Sequence, residues 1–396
     1  MINKMVRSSK VRRIYAMLLL INISTSYDSY AQETNVRFKK HVLTTDFVSE
    51  GAAVGDVNKD GKMDVMAGTY WFEAPDWKQH ELAKPEKYAI TTYSNSFLNF
   101  AMDVNNDGWI DLVRVSWPGE ESDWYENPKN AQGYWPRHFV YKSVGNESPA
   151  LFDVDGDGRL DLLCNNSKDK KNVWLSAPKA KGDTGWTEHI ISSDTAQGTH
   201  RYTHGLGMAD MNLDGRKDVI TREGWWEAPI DRKQANWTFH KEAISEECSE
   251  MFALDLDGDK DMDIISASAH KYGIWWHEQI KDPSGSITWK THDIFKEFSQ
   301  THGLTVVDIN KDGNPDIITG KRYYAHNGND PGDKDAAVLY WFEYKPGKQP
   351  TWIPHKIDDD SGAGLEVVAE DINKDKLIDI VISNKKGVYV FEQVKP

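Results

Sequence analysis

The sequence predicts an all-β fold, a seven-bladed β-propeller with four-stranded blades, closed by the amino-terminal strand completing the last blade. Three observations predict it. An Asp-rich nonapeptide, D-x-[DN]-x-D-[GK]-x-x-D, starts at Asp56, Asp103, Asp153, Asp210, Asp255, Asp308 and Asp371. The copies are spaced by 47, 50, 57, 45, 53 and 63 residues, the length of chain that a four-stranded blade uses. Short β-branched and aromatic runs, cut by Gly, Asp and Asn, surround every copy, and no stretch shows sustained helical periodicity.

At the amino terminus, Lys4, Arg7, Lys10, Arg12 and Arg13 precede an apolar run over 14–23 that only Asn22 breaks. Ser29 and Ala31 then offer small side chains for cleavage. Residues 1–31 therefore read as a signal peptide cleaved near Ala31, residues 32–396 as the propeller, and the mature chain as secreted or periplasmic. The net charge of −15 becomes −19 once the leader's five basic residues and Asp28 are removed. That balance, with no basic face, argues against nucleic acid as a partner. No stretch approaches the ~20 apolar residues of a membrane span. Cys164 and Cys248 lie in different repeats, and both a bridge and two buried thiols remain open for an exported chain.

Each repeat then reads in the same order. An apolar strand enters the acidic loop, as at Thr305, Val306 and Val307, and a second strand leaves it, as at Asp316, Ile317 and Ile318. A W-x-E strand follows, at Trp71 and Glu73, Trp124 and Glu126, Trp225 and Glu227, Trp276 and Glu278, and Trp341 and Glu343. A W-x-x-H strand ends the repeat, with His80, His138, His189, His240, His292 and His355. The last repeat has strands over 379–383 and 388–393 but no W-x-x-H. Its counterpart, Phe38 to His41, stands at the other end of the chain, so the amino-terminal strand is expected to complete blade seven.

The loops set oxygens at positions 1, 3, 5 and 9, where a tight turn converges them on one hard cation. These are Asp56, Asn58, Asp60 and Asp64; Asp103, Asn105, Asp107 and Asp111; Asp153, Asp155, Asp157 and Asp161; Asp210, Asn212, Asp214 and Asp218; Asp255, Asp257, Asp259 and Asp263; Asp308, Asn310, Asp312 and Asp316; and Asp371, Asn373, Asp375 and Asp379. Structural Ca²⁺ at several of them is the expectation. The competing reading is an Asx-bonded turn without metal. Lys260 and Lys376 replace the turn glycine in blades five and seven, which makes those two loops the weakest candidates.

These loops and strands resemble the FG-GAP/VCBS repeat family, the calcium-loop blade of integrin α-subunit propellers. The resemblance covers the whole mature chain. It implies fold and calcium but not activity, because the family includes adhesins, lectin-like modules and enzymes. The segments 203–210 and 319–330 further resemble the propeller domain of aldos-2-ulose dehydratase and related bacterial sugar dehydratases. That likeness implies elimination of water from a carbohydrate. No part of this sequence resembles the cupin domains of the fungal enzyme, so its substrate does not carry over.

Histidines sort by subtraction. Of 13, seven (His41 and the six above) recur once per blade and are expected to pack blades, and His277 sits inside a W-x-E strand. His200, His204, His270, His302 and His326 remain. In a propeller, the connectors into each inner strand and the turns between strands two and three share the face opposite the acidic loops. All five histidines fall there, in blades four to six. Arg201, Arg222, Lys271, Lys321 and Arg322 share that face, as do Trp117, Tyr202 and Tyr323. Glu50, Glu147, Glu250 and Glu366 begin inner strands. The long loop over 321–335 has the length expected of a functional one.

The expectation is a carbon–oxygen lyase, foremost a dehydratase acting on a uronic acid or keto-sugar end of an acidic oligosaccharide. His302 or His204 would be the base, and His326 or Tyr323 the acid. Arg322 and Lys321 would hold the carboxylate. Arg201, Arg222, His270, Lys271 and Trp117 complete the substrate site. A second, catalytic divalent metal such as Zn²⁺ would sit on His204 and His302 with one more ligand. The alternatives are a polysaccharide lyase and a non-catalytic carbohydrate-binding or adhesion propeller.

Overall fold

The computed structural model describes residues 36–395; the leader expected at 1–31 and its cleavage point lie outside them. The described chain is almost wholly β, and no helix in it is long and apolar enough to cross a membrane.

Seven blades follow one another, each with strands A to D in antiparallel order. Blade one is Ala53–Gly55, Asp64–Ala67, Tyr70–Glu73 and Lys78–Glu81. Blade four is Gly207–Ala209, Asp218–Thr221, Gly224–Glu227 and Thr238–Lys241. Blade five is Phe252–Leu254, Asp263–Ala267, Tyr272–Lys281 and Ile287–Ser299, and blade six is Leu304–Val307, Asp316–Gly320, Leu339–Lys345 and Thr351–Asp358. Blades two and three differ from expectation. Strand D of one and strand A of the next form a single 16-residue strand, Arg137–Phe152, so the two blades share a seven-stranded sheet. The other strands of that sheet are Leu98–Met102, Asp111–Val115 and Glu120–Tyr125 in blade two, and Asp161–Asn166, Lys171–Ser176 and Thr187–Ser192 in blade three.

Blade seven closes as its sequence predicts. Arg37–Thr44 pairs with Gly387–Val394, outside Asp379–Asn384 and Val368–Glu370. His41 lies opposite Val390. Seven apolar clusters occupy the seven interfaces between neighbouring blades. One of them joins Val381, Val388 and Val390 of blade seven to Val54, Val65 and Phe72 of blade one, which completes the ring. Fully buried Trp124, Trp174 and Trp226 anchor three blades, each large apolar side chain contributing about 1.5–3 kcal/mol on burial.

The repeat histidines do pack blades. Six of the seven stack on the tryptophan of their blade's third strand, with centroids 4.2 Å apart for Trp71 and His80 and 4.0 Å for Trp225 and His240, while His41 meets Trp77 edge-on at 6.0 Å. Each also meets the strand's glutamate, as His80 Nε2 does at 2.8 Å from Glu73 and His292 at 2.6 Å from Glu278. In blade three, Ser176 takes the glutamate's place against His189 at 3.1 Å. His277 is buried between Ser266 and Thr291. Cys164 and Cys248 are free, buried thiols.

The acidic loops share one backbone shape. Positions 4 and 6 are left-handed in every copy, and Lys260 and Lys376 adopt the glycine conformation with φ of 80° and 74°. Their lysines therefore do not change the turn. The ninth aspartate has a structural task. In six blades it accepts one backbone N–H from inside the loop and another from the end of strand C, as Asp64 does from Val57 and Ala74, and Asp111 from Val104 and Asn127. Among the described residues, three carboxylates converge within 4.8 Å in two loops, Asp153, Asp155 and Asp161, and Asp255, Asp257 and Asp259.

Candidate functional site

The face opposite the acidic loops gathers residues that no repeat explains. Each acidic loop is preceded, six residues before its first aspartate, by a residue at the top of the inner strand. In blades one, three, four and six that residue is Glu50, Glu147, His204 and His302. The ring turns the last three toward one point. His302 Nε2 lies 3.2 Å and His204 Nε2 3.5 Å from Glu147 Oε2. All three side chains are buried, at 6%, 3% and 1% exposure for Glu147, His204 and His302. Gly205 and Gly303 let the connectors press inward. A Cβ on Gly205, whose φ is +83°, would lie 2.8 Å from Cys248 Sγ.

The electrostatics of this trio are specific. His204 Nδ1 donates to the Tyr202 carbonyl at 2.9 Å, so a neutral His204 presents the Nε2 lone pair to a carboxylate. His204 Nε2 and both ring nitrogens of His302 are buried without a hydrogen-bond partner among the described residues. Burial pushes the His302 imidazole down to about 3, outweighing Glu147. Burial opposes charge on Glu147, but the imidazoles of His204 and His302 overcome it and hold its carboxyl well below the ordinary carboxylate range. A buried carboxylate thus faces the Nε2 atoms of two imidazoles, an arrangement that a shared proton or a divalent cation satisfies.

These residues fit a divalent metal. Their ligand atoms lie within 4.8 Å of one another, and two imidazoles with one carboxylate is a donor set of catalytic zinc. The third candidate ligand is Glu147, which sequence alone places only at the start of an inner strand.

A second group adjoins the first. His270 is 4.6 Å from His204 and 4.5 Å from His326, ring centre to ring centre. Asp330 binds both outer rings, at 2.6 Å from His326 Nδ1 and 3.3 Å from His270 Nδ1. With Nδ1–H committed to that carboxylate, each Nε2 is left as the basic nitrogen. Burial, with the neighbouring His204 and His326, lowers His270 and keeps it neutral. His326 sits at the short 3₁₀ turn Ala325–Gly328 with φ 46°, a left-handed conformation that costs a non-glycine residue about 1–3 kcal/mol.

Four of the five non-repeat histidines therefore converge. His200 does not: it is exposed and packs on Tyr202. Several residues expected to bind substrate have partners within the fold. Arg201 turns to the Pro118 carbonyl and Glu120. Lys271 is exposed and pairs with Glu246 at 3.3 Å. Arg222 pairs with its neighbour Glu223 at 3.5 Å. Lys321 is buried, its Nζ directed to Ser299 Oγ and Gln300 Oε1. Each has a local acceptor within the fold, and Lys321 still lies within electrostatic reach of Asp330. Arg322 stays at the site: its backbone N–H and that of His302 both donate to the Gln300 carbonyl. Trp117 lies among Tyr93, Phe97 and Tyr202, and donates from Nε1 to Tyr202 at 3.1 Å. Tyr323 lies under Lys386, 5.0 Å from Nζ to ring centre.

Below the cluster, inner strands line a central cavity of about 410 Å³ that includes Glu250 and Glu366. Each of these accepts one backbone N–H, from Leu304 and Asn99. Burial pushes Glu250 up to about 8 and Glu366 well above the ordinary value.

The model of the FG-GAP-like repeat family matches residues 103–164, 153–221 and 255–319. No curated protein matches the sequence. Among solved structures, the chain is similar to the V. cholerae biofilm matrix protein Bap1, with 11% identity over 92% of both chains and a TM-score of 0.46. It is similar to rhamnogalacturonan lyase YesW at 11% identity, over 91% of this chain and 73% of that one, with a TM-score of 0.45. Chaetomium thermophilum Raptor follows at 12% identity, over 91% and 29%, with a TM-score of 0.46.

Proposed function

We propose that the chain is a carbohydrate-directed carbon–oxygen lyase, foremost a dehydratase that removes water from a uronic acid or keto-sugar end. The observation that carries this reading is the meeting of Glu147, His204 and His302 with His270, His326 and Asp330 on one face. A module that only binds sugar needs aromatic faces and hydrogen bonders. It does not need four imidazoles and two carboxylates in contact.

The base role moves from His302 and His204 to His326. The former pair is buried around one carboxylate and better suited to hold a cation. Asp330 fixes the His326 tautomer through Nδ1, the same logic by which a carboxylate orients a catalytic imidazole. His326 Nε2 takes the proton from the carbon beside the substrate carbonyl or carboxylate. The C–H electron pair becomes the new C=C bond as the C–O bond at the neighbouring carbon breaks. The departing hydroxyl takes a proton from an acid, Tyr323 or the phenol of Tyr93, and leaves as water. A glycosidic oxygen in that position would make the same step a polysaccharide lyase reaction. A divalent metal held by Glu147, His204 and His302 would supply Lewis-acid stabilisation of the negative charge that develops on the substrate oxygen. On this reading the leader expected at 1–31 would carry the activity to the periplasm or the exterior, and Ca²⁺ in the acidic loops would rigidify the scaffold.

The test is incubation of the full chain with uronic acid and keto-sugar oligosaccharides, read by near-ultraviolet absorbance and mass spectrometry. Loss of one water with a new chromophore is the expected result. Cleavage with the same chromophore would assign a polysaccharide lyase, and binding without conversion a carbohydrate-binding propeller.

A further inference from the structure

Beside the histidine cluster lie two buried cations that the proposed elimination does not use. Arg322, at 1% exposure, meets Glu50, itself fully buried, at 3.1 Å through Nη2. Its Nη1 is buried without a hydrogen-bond partner among the described residues. Lys385, at 2% exposure, sits in the turn between strands B and C of blade seven, the same kind of turn that carries the 321–335 loop in blade six. Its Nζ donates to the Tyr324 carbonyl at 3.0 Å. Among the described residues no carboxylate lies within ion-pair distance of that Nζ. Both cations flank one ring: Lys385 Nζ is 4.7 Å and the Arg322 guanidinium carbon 5.6 Å from the centre of Tyr93. Tyr93 in turn packs on Trp117, 4.6 Å away.

Two positive charges buried with one carboxylate leave an excess charge. Such a group persists where a ligand anion completes it, because an unpaired buried charge is costly. Arg322 brings a planar fork suited to two parallel hydrogen bonds with an oxyanion, and Lys385 a point charge with free donors. The site also has the right neighbour: Arg322 and His302 hang from the same Gln300 carbonyl.

We propose that Arg322 and Lys385, over the Tyr93 ring, form the subsite for an anionic group on the sugar, and that this group is the carboxylate of a uronic acid. Lys385 thereby takes the place that sequence gives to Lys321. The inference rests on the lyase reading for its location, and it selects an acidic sugar over a neutral keto-sugar. Tyr93 and Trp117 stack on the ring that bears the anion.

Calorimetric titration tests it in the full chain carrying Asp330→Asn, which slows consumption of the bound sugar about a hundredfold or more. The probes are galacturonate, glucuronate and mannuronate trisaccharides, their methyl esters, and a sulfated neutral trisaccharide. At least one uronate is expected to bind, and esterification to weaken it about tenfold or more, the scale of a lost charge-assisted contact. Adding Lys385→Met should do the same, and Lys385→Arg should retain binding. Binding of only the sulfated sugar would overturn the carboxylate assignment. Esters that bind like acids, uronates indifferent to Lys385→Met, or no charged sugar bound would overturn the subsite itself. If Lys385→Met does not fold, the acid and ester comparison decides alone. Failure of the lyase reading would show differently, as Lys385-dependent binding of acids that the unaltered chain never converts.

Discussion

His302 Nε2 and Glu147 Oε2 lie 3.2 Å apart, although 155 residues separate them in the chain. The ring brings them together by giving both the same position, the top of an inner strand. Burial makes the pair depend on each other. An imidazole and a carboxylate stripped of water need a proton or another cation between them, and neither is satisfied by its own blade.

This pairing gives the first prediction. His302→Ala and Glu147→Gln should each reduce lyase turnover about 10²–10⁴-fold, the range for loss of a catalytic acid–base or electrostatic group. Both should also lower the zinc retained after dialysis, measured by elemental analysis. Full activity in either variant would remove the trio from the reaction.

Asp330 predicts a different signature. Asp330→Asn frees the His326 tautomer, so kcat should fall by about 10²-fold or more while KM changes little. His326→Ala should be no worse when combined with Asp330→Asn than alone. Additive losses would show that the two residues act separately.

Glu250 predicts a dependence of stability on pH. Its folded-state value of about 8 exceeds the ordinary 4.5, with burial as the main cause. The folded chain therefore binds this proton more tightly than the unfolded one. The resulting stability is intact below about 4.5 and is lost as pH rises through about 8. Glu250→Gln keeps the acceptor for the Leu304 N–H and removes the charge. Its melting temperature should exceed that of the unaltered chain by a few degrees at pH 8 and match it near pH 4.5, read by differential scanning calorimetry. A pH-independent difference would place the cost elsewhere.

Strand Arg37–Thr44 supplies the outer edge of blade seven. Its deletion should lower the melting temperature on the order of 10 °C, because the blade's third strand is left unpaired. An unchanged melt would mean that the strand is dispensable to the ring.

Metal in the acidic loops predicts that EDTA lowers the melting temperature by about 5 °C or more and that Ca²⁺ alone restores it. Zn²⁺ should restore activity and not the melt. A melt indifferent to EDTA would leave the loops as Asx-bonded turns.

Much of this architecture is legible in the sequence, because each blade repeats its chemistry. The acidic nonapeptide announces itself seven times and the pairing of Trp71 with His80 six, and the displaced copy at His41 reveals the closure. The merger of two blades through Arg137–Phe152 is not legible, since a connector and a continuous strand differ there only in backbone pairing. The candidate site is partly legible. His204 and His302 stand out by rarity and shared position. Glu147 holds the same position six residues before its loop, but glutamate is too common in an acidic chain for one copy to signal a ligand. Lys385 is hidden in the same way among the lysines. Lys321 misleads because its neighbour Arg322 faces the site, and adjacent residues on an extended segment point to opposite sides.

The strand that completes blade seven precedes every other strand of the ring in the chain, and its partner Gly387–Val394 follows them. During synthesis the early segment must wait as a solitary edge while six blades assemble behind it. The ring locks only when the final hairpin arrives. Folding thus finishes on the longest-range contact in the molecule, a step that is slow by topology. Until then the chain exposes a strand that other chains could capture.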